Sequence, residues 1–152
     1  MTTPTSLELL VLLANALATW LMCGVIWFVQ LVHYPLFSRY DSQHFRAAMG
    51  EHQRGTSRVV LVPMLAESLT SLALLVFRPP EVPAWMPWAG ALLDGVWGFS
   101  TALVQIPLHQ KLSEAGFDAA VHRRLVMSNW VRTAAWTGRA VLCGTMLAMC
   151  KF

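Results

Sequence analysis

The sequence predicts an all-α integral membrane protein, a four-helix bundle running up-down-up-down with both termini on the outer side. Three observations carry that expectation. First, hydrophobic residues make up 56% and charged residues only 12% of the 152, whereas a soluble domain averages about 25% charged. Second, the apolar residues fall into four long runs, and a bilayer core needs about 20 residues per helix. Residues 9–32 carry no charge, 59–77 only Glu67, 85–108 only Asp94, and 131–149 only Arg132 and Arg139. Third, Arg39, Arg46, Arg54, Arg58, Lys111, Arg123 and Arg124 lie in or beside the connections after the first and third runs, against Arg78 and Lys151 elsewhere. The positive-inside rule then places both long connections in the cytoplasm, with a bacterial cytoplasmic membrane as the expected location. The net charge of +3 reads as topology, not as nucleic-acid binding.

Periodicity and capping signals place one domain over residues 1–152, with helices at about 7–34, 56–77, 85–111 and 119–149 and a cytoplasmic amphipathic segment at about 42–55. The first helix opens on a capping box, Thr5 with Glu8, and is expected to stop at Tyr34 because Pro35 disfavours helix at the preceding residue. Its run lacks a leading Lys or Arg and exceeds the apolar core of a signal peptide. Asp41 or Ser42 can cap the amphipathic segment, with Gly50 and Gly55 as potential breaks. Pro63 should kink the second helix and Pro107 the third. Trp85 and Trp88 suit a membrane interface, and Asp118 suits the cap of the fourth helix. Cys23, Cys143 and Cys150 read as small buried hydrophobes, since no Cys-x-x-Cys spacing occurs.

The function-bearing pattern is a polar stripe on each helix. On the third, Asp94, Trp97, Thr101, Gln105 and His109 recur at helical spacing; on the first, Asn15, Thr19, Cys23, Gln30 and His33; on the fourth, Asn129, Arg132, Thr133, Trp136, Arg139 and Cys143. Unpaired polar groups are costly in hydrocarbon, so these faces must look into protein or a cavity. Counting from the helix ends at about 1.5 Å per residue separates two layers. Glu67, Asp94 and Arg139 share an outer one with Asn15 and Thr19. They read either as an ion-paired packing device or as a proton or ion relay. His33, His52, His109, Gln105, Asn129 and Arg132 share an inner one. His33, His109 and His52 are candidates for metal or haem ligation or for acid/base chemistry, while His44 and His122 read as solvated. Arg132 has no acid at its depth; it either binds an oxygen-rich ligand or snorkels to the headgroups. Trp97 and Trp136 could line a ligand pocket beside Gln105. The expected partners are membrane lipid and a hydrophobic small molecule, with a homo-oligomer left open.

Gln105-Ile106-Pro107-Leu108-His109 and Leu112, followed by Asn129-Trp130-Val131-Arg132-Thr133, resemble the ends of the third and fourth helices in the anthrone oxygenase-like family of small four-helix membrane proteins. That family usually carries Asn at the position of His109 and often His at that of Trp130. The resemblance implies an oxygenase acting on a polycyclic aromatic, without an obvious cofactor. A slighter likeness to membrane protoporphyrinogen oxidases implies haem at His33. The expected function is a membrane oxidoreductase or oxygenase with a hydrophobic substrate between the helices. In it His33 and His109 serve as ligands or acid/base groups, Arg132 and Asn129 orient oxygens, and Glu67 is a buried acid. The alternative is a non-catalytic binding or ion-coupled transport module built on Glu67, Asp94 and Arg139.

Overall fold

The computed structural model describes residues 3–41 and 43–150 and shows, among them, four long helices and no strand; Ser42 and Lys151 lie outside the described residues. We name the helices α1 (Ser6–Arg39), α2 (Phe45–Leu74), α3 (Trp85–Ala115) and α4 (Ala119–Met149). The first three are long and apolar enough to cross a membrane. α4, which carries Arg132 and Arg139 in its apolar part, is not among them. α1 packs against α2 and α4, and α3 against α4 and α2.

Local signals set the helix ends. Thr5 and Glu8 form the reciprocal capping box, Thr5 N–H donating to Glu8 at 2.7 Å and Glu8 N–H to the Thr5 hydroxyl at 3.3 Å. Asp118 accepts the Val121 N–H at the start of α4, whereas Asp41 accepts the Gln43 N–H in the turn before α2, whose N-cap, His44, makes no side-chain cap. Gly116, at φ 91°, closes α3 in a backbone region that only glycine enters freely.

Three expectations are corrected. α1 does not stop before Pro35: like α3, which passes through Pro107 as expected, it opens into a π-turn just upstream of its proline, at Val29–His33 in α1 and Thr101–Gln105 in α3. There the Tyr34 and Ile106 N–H groups reach back to the carbonyls of Val29 and Thr101. The widened turn makes room for the proline ring, which would otherwise meet the carbonyl one turn back. The separate amphipathic segment is instead the first part of α2, which runs unbroken through Gly50, Gly55 and Pro63. His122 is not simply solvated, since its Nε2 bonds the Tyr34 carbonyl at 2.8 Å.

The bundle is inverted relative to a water-soluble one. Asn15, Thr19, Gln30, Glu67, Gln105, Asn129 and Arg139 are buried, while Leu10, Leu17, Val62, Leu69, Leu92 and Phe99 face outward. That distribution suits lipid as solvent. Two apolar clusters fill the interior, one around Leu12, Ala16, Leu74 and Met146, the other around Ile26, Phe45, Met49 and Leu125.

Glu67 is fully buried and gathers bonds from across the bundle. Its Oε1 accepts from Arg139 Nε at 2.6 Å and from Thr19 at 3.0 Å; Oε2 accepts from the Trp136 indole at 2.8 Å. Arg139 also donates to Ser71 and to the Gly90 carbonyl, and lies 3.9 Å from Asp94. Asn15 donates to the Glu67 carbonyl and Thr70, and Cys143 to Asn15. All four helices are thereby joined at one level. Breaking a buried ion pair costs about 3–5 kcal/mol by leaving a bare charge. Arg139→Met should therefore lower unfolding stability in micelles by an amount of that order, and Glu67→Gln in the same chain should recover part of it. Single substitutions costing under about 1 kcal/mol would contradict the clamp.

Candidate functional site

The second polar layer surrounds a cavity of about 560 Å³, within the size range of small-molecule sites. α1 contributes Met22, Val25, Ile26, Val29 and Tyr34; α2 contributes His52, Thr56, Val60 and Met64. α3 supplies Thr101, Gln105 and His109, and α4 supplies Arg132 and Trp136. The walls are mostly apolar, with a few polar groups among them. Leu61 and Ile106, both outward-facing, also line the cavity, as do Gln53, Ser57 and Gln110. The cavity thus reaches the surface between α2 and α3.

The π-turns decide which side chains face in. In a straight helix His33 would follow Gln30 on one face. The wider turn carries more residues per revolution, so His33 swings off that face and Tyr34 swings onto it. Tyr34 is buried and bonds His109 Nε2 at 2.8 Å. His33 instead faces a groove between α1 and α2 lined by Phe28, Val29, Gly55 and Val59. It bonds back to His52 Nδ1 at 2.7 Å, and Thr56 reaches the same nitrogen at 3.0 Å. His52 and His109 lie with ring centroids 5.2 Å apart.

Arg132 points across the bundle, not toward the helix end. Its Nε donates to Asn129 Oδ1 at 2.9 Å and its Nη1 to Thr101 at 3.2 Å, and it sits over Trp136 at 5.8 Å. Snorkelling is therefore excluded. Among the described residues no carboxylate lies within 4 Å of it, the only close ion pairs being those of Arg139 and of His44 with Asp41. Asn129 is itself held by Gln30 at 2.8 Å. On the opposite wall Gln105 donates to Ser128 at 2.9 Å. Among the described residues, two buried atoms of the wall have no partner, Gln105 Oε1 and His109 Nδ1.

The sequence-predicted residues separate as follows. Gln105, His52, His109, Arg132 and Trp136 line the cavity. Asn129 is fully buried behind Arg132 and acts as its positioning residue. Trp97 does not reach the cavity; it stacks on the far side of Trp136 with centroids 4.7 Å apart. Glu67 also stands apart, separated from the cavity by the Trp136 indole that bonds it. Tyr34 was missed because a straight-helix register points His33 inward. The signal was present in the Tyr34-Pro35 pair, which demands a local change of pitch.

One nitrogen of each histidine is engaged, His33 Nε2 with His52 Nδ1 and His109 Nε2 with Tyr34. Among the described residues no three His, Cys, Asp or Glu side chains are grouped to hold a metal ion. The trio forms hydrogen-bonded pairs instead.

Stability should distinguish the two kinds of wall residue. Removing a fully bonded amide leaves partners unsatisfied at about 1–3 kcal/mol, whereas Gln105, bonded to Ser128 through its nitrogen but unpartnered at Oε1, has less to lose. Asn129→Leu should therefore destabilise by an amount in that range, and Gln105→Leu by markedly less. Equal losses in equilibrium unfolding would contradict this.

Comparison of the chain with family models, with curated proteins and with solved structures finds no match.

Proposed function

We propose that the chain is a membrane oxidoreductase or oxygenase that takes a hydrophobic, ring-bearing small molecule into the cavity between its helices. In this reading the bundle runs up-down-up-down across a bacterial cytoplasmic membrane, with both termini outside and both long connections in the cytoplasm. The arginines of those connections support the orientation. The charges of α4 are no obstacle to its crossing, since Arg139 is neutralised by Glu67 and Arg132 faces the cavity.

The observation that carries the reading is His109. Tyr34 fixes the imidazole through one ring nitrogen, and the other is buried with no partner, on the wall of an apolar cavity. An imidazole so oriented can take or give a proton. A ring-activated CH₂ group would give a proton to His109. With molecular oxygen as oxidant, one oxygen atom becomes the new carbonyl and the other leaves as water. Arg132 and Gln105 would hold the substrate's oxygen functions. The resemblance of residues 105–112 and 129–133 to the anthrone oxygenase-like proteins supports the same chemistry. His109 in place of the usual Asn gives this chain a base of its own.

The test is oxygen uptake by the full chain in nanodiscs over a panel of polycyclic phenols and their keto tautomers. A substrate should be found whose kcat falls about a hundredfold or more in His109→Phe, the range typical of a lost general base. No uptake across the panel, or uptake unaffected by His109→Phe, would overturn the proposal.

A further inference from the structure

We infer that the cavity binds the carboxylate of an amphipathic acid, with Arg132 as its counter-ion and the apolar body entering from the bilayer between α2 and α3. The inference rests on reading this cavity as the ligand site, and it names the charge of the ligand's polar end. The starting point is charge balance. The bundle holds two buried or partly buried arginines in the interior of α4, and the two are treated differently. Arg139 has Glu67 at 2.6 Å and Asp94 at 3.9 Å. Among the described residues Arg132 donates to neutral acceptors only, Asn129 and Thr101.

The groups that surround Arg132 in the cavity offer no negative charge. Tyr34 comes from α1, His52 from α2, Thr101, Gln105 and His109 from α3, and Trp136 from α4; no Asp or Glu lines the cavity among the described residues. A cation in a low-dielectric chamber needs an anion nearby. A neutral carbonyl would leave the charge uncompensated. A doubly charged phosphate would exceed the single cation and carry tightly held water. A carboxylate matches the charge one for one and the planar fork of the guanidinium in shape.

The rest of the ligand follows from the walls. Met22, Ile26, Val29, Val60, Met64 and Trp136 offer apolar surface, so the body is apolar. The opening lies between Leu61 on α2 and Ile106 on α3, both more than half exposed on helices apolar enough to cross a membrane. A water-borne anion would have to pass that apolar rim, whereas an amphipath dissolved in lipid meets it directly. The body can be an acyl chain or a fused ring; the shared chemistry is one carboxylate on an apolar frame.

The experiment measures saturable binding of radiolabelled dodecanoate, a naphthoate, methyl dodecanoate and dodecylamine to the full chain in zwitterionic nanodiscs. At least one of the two acids should bind about tenfold or more tighter than the ester, the worth of one charge-assisted bond, and the amine should not bind. Which acid binds identifies the body as acyl or aromatic. Arg132→Gln should bring acid and ester to equal affinity. Arg132→Lys, which keeps the cation but not the fork, should retain a reduced preference, and it serves if Arg132→Gln does not fold. Equal binding of acid and ester by the native chain would overturn the inference and leave the proposed function standing. A preference that survives in folded Arg132→Gln would overturn it as well. Saturable binding of none of the probes would overturn the inference, while oxygen uptake over the phenol panel would still decide the proposed function.

Discussion

The fold depends on how one buried ion pair is satisfied. Glu67 and Arg139 are almost completely withdrawn from solvent. Two charges taken out of water repay their desolvation only with close geometry and further hydrogen bonds. Here Thr19, Trp136, Ser71 and Gly90 supply those bonds, one or more from each helix. The pair therefore fixes the rotation and register of all four helices at one level. It lies between the apolar cluster around Leu12 and Leu74 and the one around Ile26 and Phe45. Both carboxylate oxygens of Glu67 are bonded by side chains of other helices, Thr19 of α1 and Trp136 and Arg139 of α4.

With Glu67 and Arg139 paired at that level, the other polar layer is free to be left incomplete. Its geometry comes from two prolines. Pro35 and Pro107 each force a π-turn upstream, and the turns sit on helices that both wall the cavity. One brings Tyr34 to His109; the other places Thr101 and Gln105 beside Arg132 and Ser128. Such wide turns cost backbone hydrogen bonds and recur at functional positions. The contrast between layers is chemical as well: among the described residues one holds an arginine with two carboxylates nearby, the other an arginine with none.

Much of this was legible in the sequence, because lipid makes polarity informative. Glu67, Asp94 and Arg139 could be placed together by counting along helices, and the structure brings them together. The inward direction of Gln105, His109, Arg132 and Trp136 followed from helical spacing alone. What was not legible depended on departures from the ideal helix. The π-turn rotated His33 out and Tyr34 in, and a proline taken as a stop proved to be a bend that the helix absorbs. Trp97 fell on the correct face but found another tryptophan between it and the cavity. Periodicity assigns a side chain to a face; depth behind a neighbour requires coordinates.

The central claim is that one polar layer is closely packed protein and the other an open chamber reached from the membrane. Thiol labelling tests it within a single molecule. Cys143 belongs to the first layer, bonded to Asn15 and buried, and Met64 lines the second. In a chain with Cys23 and Cys150 replaced by alanine, Met64→Cys should react rapidly in nanodiscs with a membrane-soluble maleimide while Cys143 stays unmodified. Labelling of Cys143 at a comparable rate, or an inert thiol at position 64 in folded protein, would contradict the account.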